Sequence, residues 1–408
     1  MITKPFPVSL VLLLSALYFS QGFPFGFLTR ALPALMRSLE MPVSWIGLLS
    51  LAAIPWVLKF AWAPWVDHLG RGRQGHRQRW IIGCQLLAAA LLVVLGLLPV
   101  EQLSLSVFAW LMLCLLLLNT VMATHDVATD GLAVRLLPVA LRGLGNSIQV
   151  AGYKLGLILG SALLLWVSAR YGWQAALWGA AVVLLLLMLP VVRFVEPMEN
   201  HPAAGKDFSW RELPGLFRVL WRGQQKFWWL WVLLLYKVGD SFGSRMIKPF
   251  LVDNGLSLEH IAALDVMASV SGLLALLAAG LLLRRLSLHV ALAVFALLQA
   301  LSFLAWATVS AESSWNALLL ISCFEQMADG MATVALFTGM MGQCRAGHEG
   351  ADYTLQACIF MMVAGWLGVA SGFSVEAVGY QVHFWLAAGL SAVAIIPVLQ
   401  LSRLTRHD

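Results

Sequence analysis

The chain alternates apolar runs with short polar turns, and most of the runs are long enough to cross a bilayer. A helix rises about 1.5 Å per residue, so about 20 apolar residues span the hydrocarbon. On that basis the pattern predicts twelve spanning helices. The first six lie at 6–36, 45–64, 80–100, 105–134, 143–169 and 174–195, and the second six at 227–250, 259–282, 288–309, 315–343, 353–375 and 382–402. One polar stretch is long, Glu196 to Lys226, and it holds Pro197, Pro202 and Pro214. It reads as a linker, 196–226, between a six-helix half at 1–195 and another at 227–408.

Composition agrees with the pattern. Hydrophobic residues make up 61% of the 408 and charged residues 11%, against roughly a quarter charged in a soluble domain. The chain is therefore read as an all-α integral membrane protein with the lipid bilayer as its surroundings. The net charge of +6 calls for no nucleic acid, because its distribution follows the membrane. Of 26 Lys and Arg, 18 fall on the side of the N-terminus and two, Arg37 and Arg170, on the other. That bias predicts cytoplasmic N- and C-termini. The first apolar segment is too long for a cleavable signal and is read as a retained helix. None of the five cysteines has metal-ligand spacing, and no metal or cofactor is expected.

Inside the fourth predicted helix stands His125-Asp126-Val127-Ala128-Thr129-Asp130-Gly131. Asp126 and Asp130 are four apart and share one helix face. Carboxylates are costly in hydrocarbon and mark protein-facing or water-lined positions. A second copy, Glu325-Gln326-Met327-Ala328-Asp329-Gly330, stands in the tenth helix. The halves match elsewhere too: Pro33-Ala34-Leu35 closes the first helix as Pro249-Phe250-Leu251 closes the seventh. Both helices run outward, so the repeat is parallel, as in the major facilitator arrangement of two six-helix bundles.

Helix 2 carries Pro55-Trp56-Val57-Leu58-Lys59 and Pro64-Trp65-Val66-Asp67, and helix 7 carries Tyr236-Lys237-Val238-Gly239-Asp240. With the Asp126 stretch, these closely resemble the permease family of AmpG-type muropeptide permeases, acetyl-coenzyme A transporters and RhtX/FptX-type siderophore permeases. The resemblance covers both halves. The family usually has Gln-Asp where this chain has His125-Asp126. Enteric muropeptide permeases of the family are longer, so an end after twelve helices leads to the siderophore branch as the expectation.

Site candidates follow. Lys154 lies about 16 Å from the cytoplasmic end of helix 5 and Asp126 about 12 Å from that end of helix 4, so an Asp126–Lys154 pair is expected, either as a protonation switch or as a static brace. Lys237 and Asp240, three apart, either neutralise one another or couple transport. Glu325 and Asp329 have no lysine in helix 11 to match Lys154, which suits a proton carrier. In the facilitator architecture helices 1 and 7 face each other, so the resemblance implies a basic mouth of Arg30, Arg245 and Lys248 for an anion, or else snorkelling side chains. His125, Tyr153 and Tyr236 are further candidates for substrate contact. After helix 2, Asp67 with Arg71 and Arg73 resembles the facilitator gating motif; the plain alternative is a positive-inside loop.

The function expected is proton-coupled import of a small anionic molecule across the bacterial inner membrane, first a siderophore or ferric siderophore and alternatively a muropeptide. Protons are the second partner, and one chain suffices. A membrane enzyme would need a nucleophile or metal cluster at a membrane face, and ATP-driven transport a Gly-rich phosphate loop, and the sequence has neither; a channel would need rings of charge in an oligomer rather than two related halves, and the parallel repeat argues against both enzyme and channel.

Overall fold

A computed structural model of the chain describes residues 7–38, 45, 48–70, 73–100, 104–197, 215, 218 and 221–404. They form helices throughout. In chain order these are α1 (8–38), α2 (48–68), α3 (His76–Gly96), α4 (Leu105–Leu136), α5 (142–171), α6 (173–193), α7 (224–253), α8 (Leu258–Leu282), α9 (Leu288–Ala307), α10 (Trp315–Gln343), α11 (349–378) and α12 (380–404). Among the described residues, eight stretches are long and apolar enough to cross a membrane by length and composition.

The interrupted helices are the informative ones. In α1, Pro24 and Pro33 each remove a backbone donor, and between them the ladder widens into a π turn at Phe27–Ala31. In α2, Pro55 and Pro64 each restart a helix, while Leu49–Ala53 and Lys59–Ala61 tighten to 3₁₀ turns. A 3₁₀ turn eclipses residues three apart, so Trp56, Lys59 and Trp62 line one face. In α7 the helix breaks at Lys237, whose backbone is non-helical (φ −109, ψ 11). Gly172 between α5 and α6 and Gly379 between α11 and α12 both sit at positive φ, 86 and 78, as the tight turn of each pair requires.

By packing, the chain divides into two units. Unit 1 takes in Met1–Leu137, Ile148–Leu213 and Cys344–Cys358; unit 2 takes in Pro138–Ser147, Pro214–Gln343 and Ile359–Asp408. Two short segments thus belong to the unit other than that of their own half. The start of α5 joins unit 2, where the Ser147 hydroxyl donates to the Leu276 carbonyl at 2.5 Å. The α10–α11 turn joins unit 1, for a reason given below.

Within unit 1, α5 lies against α1 through glycines. A Cβ on Gly156 would fall 2.5 Å from the Phe19 carbonyl oxygen, and one on Gly160 1.9 Å from that of Phe23. In a bilayer such close backbone approach, rather than water exclusion, drives helix association. Two apolar clusters fill unit 1, one around Phe23, Leu118 and Met122 and one around Leu17, Val127 and Leu132. The charged residues of α2 and α4 lie between them.

Candidate functional site

In unit 1 the face of α2 made by Trp56, Lys59 and Trp62 meets α4 in three polar rungs. The Trp56 indole donates to Asn119 Oδ1 at 2.8 Å, the Lys59 ammonium to Asp126 Oδ2, and the Trp62 indole to Thr124 Oγ1 at 3.0 Å. Lys59 and Asp126 are both buried. One turn further, Asp130 accepts from the Tyr18 hydroxyl at 2.9 Å and from Gln149 Nε2 at 3.5 Å, and Gln149 also reaches the Tyr353 hydroxyl at 3.3 Å. His125 is fully buried beside Gln21 and Thr129. Its Nε2 has no hydrogen-bond partner among the described residues.

The sequence pointed to Lys154 as the partner of Asp126; in the structure the lysine that meets Asp126 is Lys59. Depth along the membrane suited both lysines. The glycine face of α5 turns that helix toward α1, whereas the eclipsed turn of α2 aims Lys59 at α4. Lys154 is half-buried. Tyr153 is half-buried against Phe25, with ring centroids 6.3 Å apart.

In unit 2, Lys237 at the break in α7 holds two carboxylates, Asp240 at 2.9 Å and Asp329 at 2.5 Å. Asp329 thus has the basic partner that helix 11 did not offer, supplied by α7. Glu325 is buried, and its described partner is the neighbouring Gln326 amide at 2.9 Å. It borders a cavity of about 70 Å³ with Ser322, Gln326 and Trp306. Tyr236 is buried, its hydroxyl donating to the Leu292 carbonyl at 2.9 Å, which ties α7 to α9. Lys248 pairs with Asp265 at 3.0 Å on an exposed surface. Arg245 is exposed and lies against Gly368, where a Cβ would fall 2.2 Å from its Nε. The Arg30 side chain lies outside the described residues.

At the end of unit 1 near the α2–α3 turn, buried Asp67 collects three donors. Arg77 Nη2 stands 3.3 Å from Oδ1, the Gly350 amide donates to Oδ1 at 3.3 Å, and the Ala351 amide donates to Oδ2 at 2.7 Å. Arg77 also reaches Glu349 Oε2 at 2.7 Å. This cluster is what places the α10–α11 turn in unit 1. Burial pushes the Asp67 carboxyl up to about 6, against the opposing pull of Arg77 and the two amides. Of the expected gating residues, Asp67 meets Arg77, Arg73 is exposed with no side-chain partner among the described residues, and Arg71 lies outside them. Among the described residues no group of three or more His, Cys, Asp or Glu side chains could hold a metal ion.

Lys59, Arg77, Glu349, Tyr18, Gln149 and Tyr353 were missed. A signal existed for Lys59, a lone lysine between two prolines in an apolar helix. Arg77 was hidden among arginines that the membrane bias already explains.

The profile of the Major Facilitator Superfamily matches residues 14–369. The chain is 28% identical over 402 residues to the anhydromuropeptide permease of Escherichia coli (strain K12), covering 96% of this chain and 79% of that protein. It is 22% identical over 394 residues to the putative transporter AmpG 4 of Rickettsia conorii, covering 93% and 94%. Among solved structures, a bacterial homologue of the iron transporter ferroportin in the outward-facing state superposes with a TM-score of 0.71 at 16% identity, over 98% of this chain and 100% of that one.

Proposed function

The chain belongs to the Major Facilitator Superfamily, a membrane transporter with an all-helical facilitator fold, and we propose that it is a proton-coupled permease importing a muropeptide across the bacterial inner membrane. The observation that carries the substrate class is the similarity to the anhydromuropeptide permease, which runs through nearly the whole chain. The siderophore expectation leaned on chain length. A relative matched over 94% of its own length bears the AmpG name, so length does not separate the branches.

The geometry supports a division of labour. Lys59, Asp126 and Asp130 form a brace in unit 1. Glu325, buried with no ion-pair partner among the described residues and bordering a cavity, is the proton carrier, and the Lys237 pairs with Asp240 and Asp329 respond to its charge. Asp67, Arg77 and residues 349–351 form a latch that releases during the transport cycle. Arg245 contacts the anionic substrate.

Uptake of labelled anhydromuropeptide and of labelled ferric siderophore, by cells whose own permeases are deleted, tests this reading. Accumulation of the muropeptide that a protonophore abolishes is expected. Accumulation of the siderophore alone would overturn the substrate class.

A further inference from the structure

Unit 1 carries a second cavity, of about 660 Å³, on the outer side of α3 at the end that the charge bias assigns to the cytoplasm. It is separate from the charged layer between α2 and α4. Its wall is apolar: Leu69 and Leu87 are half exposed there, and Trp80 lies between them. Gly83 leaves the groove open, since a Cβ built on it would meet nothing within 4 Å. Its rim is cationic. Arg73 and Arg79 are exposed, and neither guanidinium has a partner among the described residues.

The groove is held in shape by its own turn. The Trp80 indole donates to the Leu69 carbonyl at 3.2 Å, His76 Nε2 contacts the Val66 carbonyl at 2.9 Å, and Gly70 sits at φ 96 with His76 packed over it. Arginines whose guanidiniums have no partner among the described residues, above a strip of half-buried tryptophan and exposed leucine, match the profile of one kind of molecule, with an anion at headgroup level and hydrocarbon below. A soluble anion would leave the apolar strip uncovered, and a neutral lipid would leave the guanidiniums unpaired.

We propose that this groove binds an anionic phospholipid, its phosphate on Arg73 and Arg79 and an acyl chain along Trp80, Gly83 and Leu87. Because the same turn carries Asp67 and Arg77 on its buried side, the lipid braces the segment from which the latch is built.

Native mass spectrometry of the delipidated full chain, titrated with phosphatidylglycerol or phosphatidylcholine in detergent, tests the assignment. Wild type should bind phosphatidylglycerol and not phosphatidylcholine. Each arginine near an anionic lipid is worth about fivefold, so Arg73→Gln with Arg79→Gln should weaken phosphatidylglycerol binding about thirtyfold. Gly83→Trp keeps every charge but fills the groove, and it should weaken binding as well; it also decides the matter if the double variant fails to fold. A control that removes two arginines elsewhere, Arg284→Gln with Arg285→Gln, should bind as wild type does. Equal loss in the control would mean diffuse attraction and overturn the site. Wild-type binding by both groove variants, or displacement of the lipid by inorganic phosphate, would overturn it too.

Discussion

The acid-x₃-Asp-Gly stretch occurs once in each half of the sequence, and its two copies are satisfied in different ways. In unit 1, Lys59 makes its ion pair with Asp126, and Asp130 accepts hydrogen bonds from Tyr18 and Gln149. The lysine comes from α2. In unit 2 the lysine comes from α7, and it is shared by Asp240 and Asp329, while Glu325 keeps an amide for company. The two halves share the acids and not their partners. A buried carboxylate paired with an ammonium is costly to separate from it. A carboxylate with none changes charge at far lower cost. On the proposed reading the first copy stays and the second switches.

The comparison breaks most readily at Lys59. Lys59→Met leaves Asp126 buried and unpaired, at a cost of about 3–5 kcal/mol, a large part of a typical folding margin. The variant should show a much lower thermal unfolding midpoint in detergent, and adding Asp126→Asn should recover most of the loss, a coupling that a double-mutant cycle measures. Lys237→Met should cost less, because the side chains of Asp240 and Asp329 keep 12% and 20% of their exposure. A greater loss at Lys237 than at Lys59 would reverse the assignment of brace and switch.

Transport should break at Glu325 instead. Glu325→Gln keeps the amide-sized group and removes the titration. We expect uphill accumulation to vanish while exchange down a substrate gradient continues, with the unfolding midpoint within about 1 kcal/mol of wild type. Accumulation at the wild-type level in vesicles with an imposed proton gradient would remove Glu325 from the coupling step.

The helices and the repeated acids were legible in the sequence because both are local. A run of 20 apolar residues declares itself, and two acids at i and i+4 share a face whatever surrounds them. Partners are not local. Choosing between Lys59 and Lys154 required knowing which face α5 turns to α1, a matter of Gly156 and Gly160 meeting the Phe19 and Phe23 carbonyls. The donors to Asp67 lie at residues 350 and 351, on the far side of the sequence. The eclipsing of Trp56, Lys59 and Trp62 follows from 3₁₀ turns between prolines, which the hydrophobic period does not reveal.

The proposed latch adds a dependence on pH. With the contacts to Arg77, Gly350 and Ala351 made, burial raises Asp67 from 3.8 to about 6. Closing therefore takes up a proton, so the contribution to closure is full below about pH 4 and is lost as pH rises through about 6. A shift of that size bounds the effect at about 3 kcal/mol. Amide exchange in the segment 344–358, corrected for its intrinsic pH dependence, should speed up between pH 4 and 6 and stay level above. In Asp67→Asn the step should be absent. A slowing over the same interval would show that the Arg77 contact outweighs burial.

The smallest effect separates two cations three residues apart. Lys248 is exposed and paired with Asp265, and such surface pairs contribute about 0–1 kcal/mol. Lys248→Gln should leave both stability and half-saturation for uptake almost unchanged. Arg245 has no carboxylate among the described residues and is pressed against Gly368, so its guanidinium stays available to an anion. Arg245→Gln should raise the half-saturation concentration several-fold and flatten its dependence on salt, with the amount of folded protein preserved. Arg245→Lys keeps the charge but gives up the planar fork, so it should recover the salt dependence and only part of the affinity. Equal affinities in Arg245→Gln and Lys248→Gln, normalised to folded protein, would make both residues interfacial anchors and take Arg245 out of the substrate path.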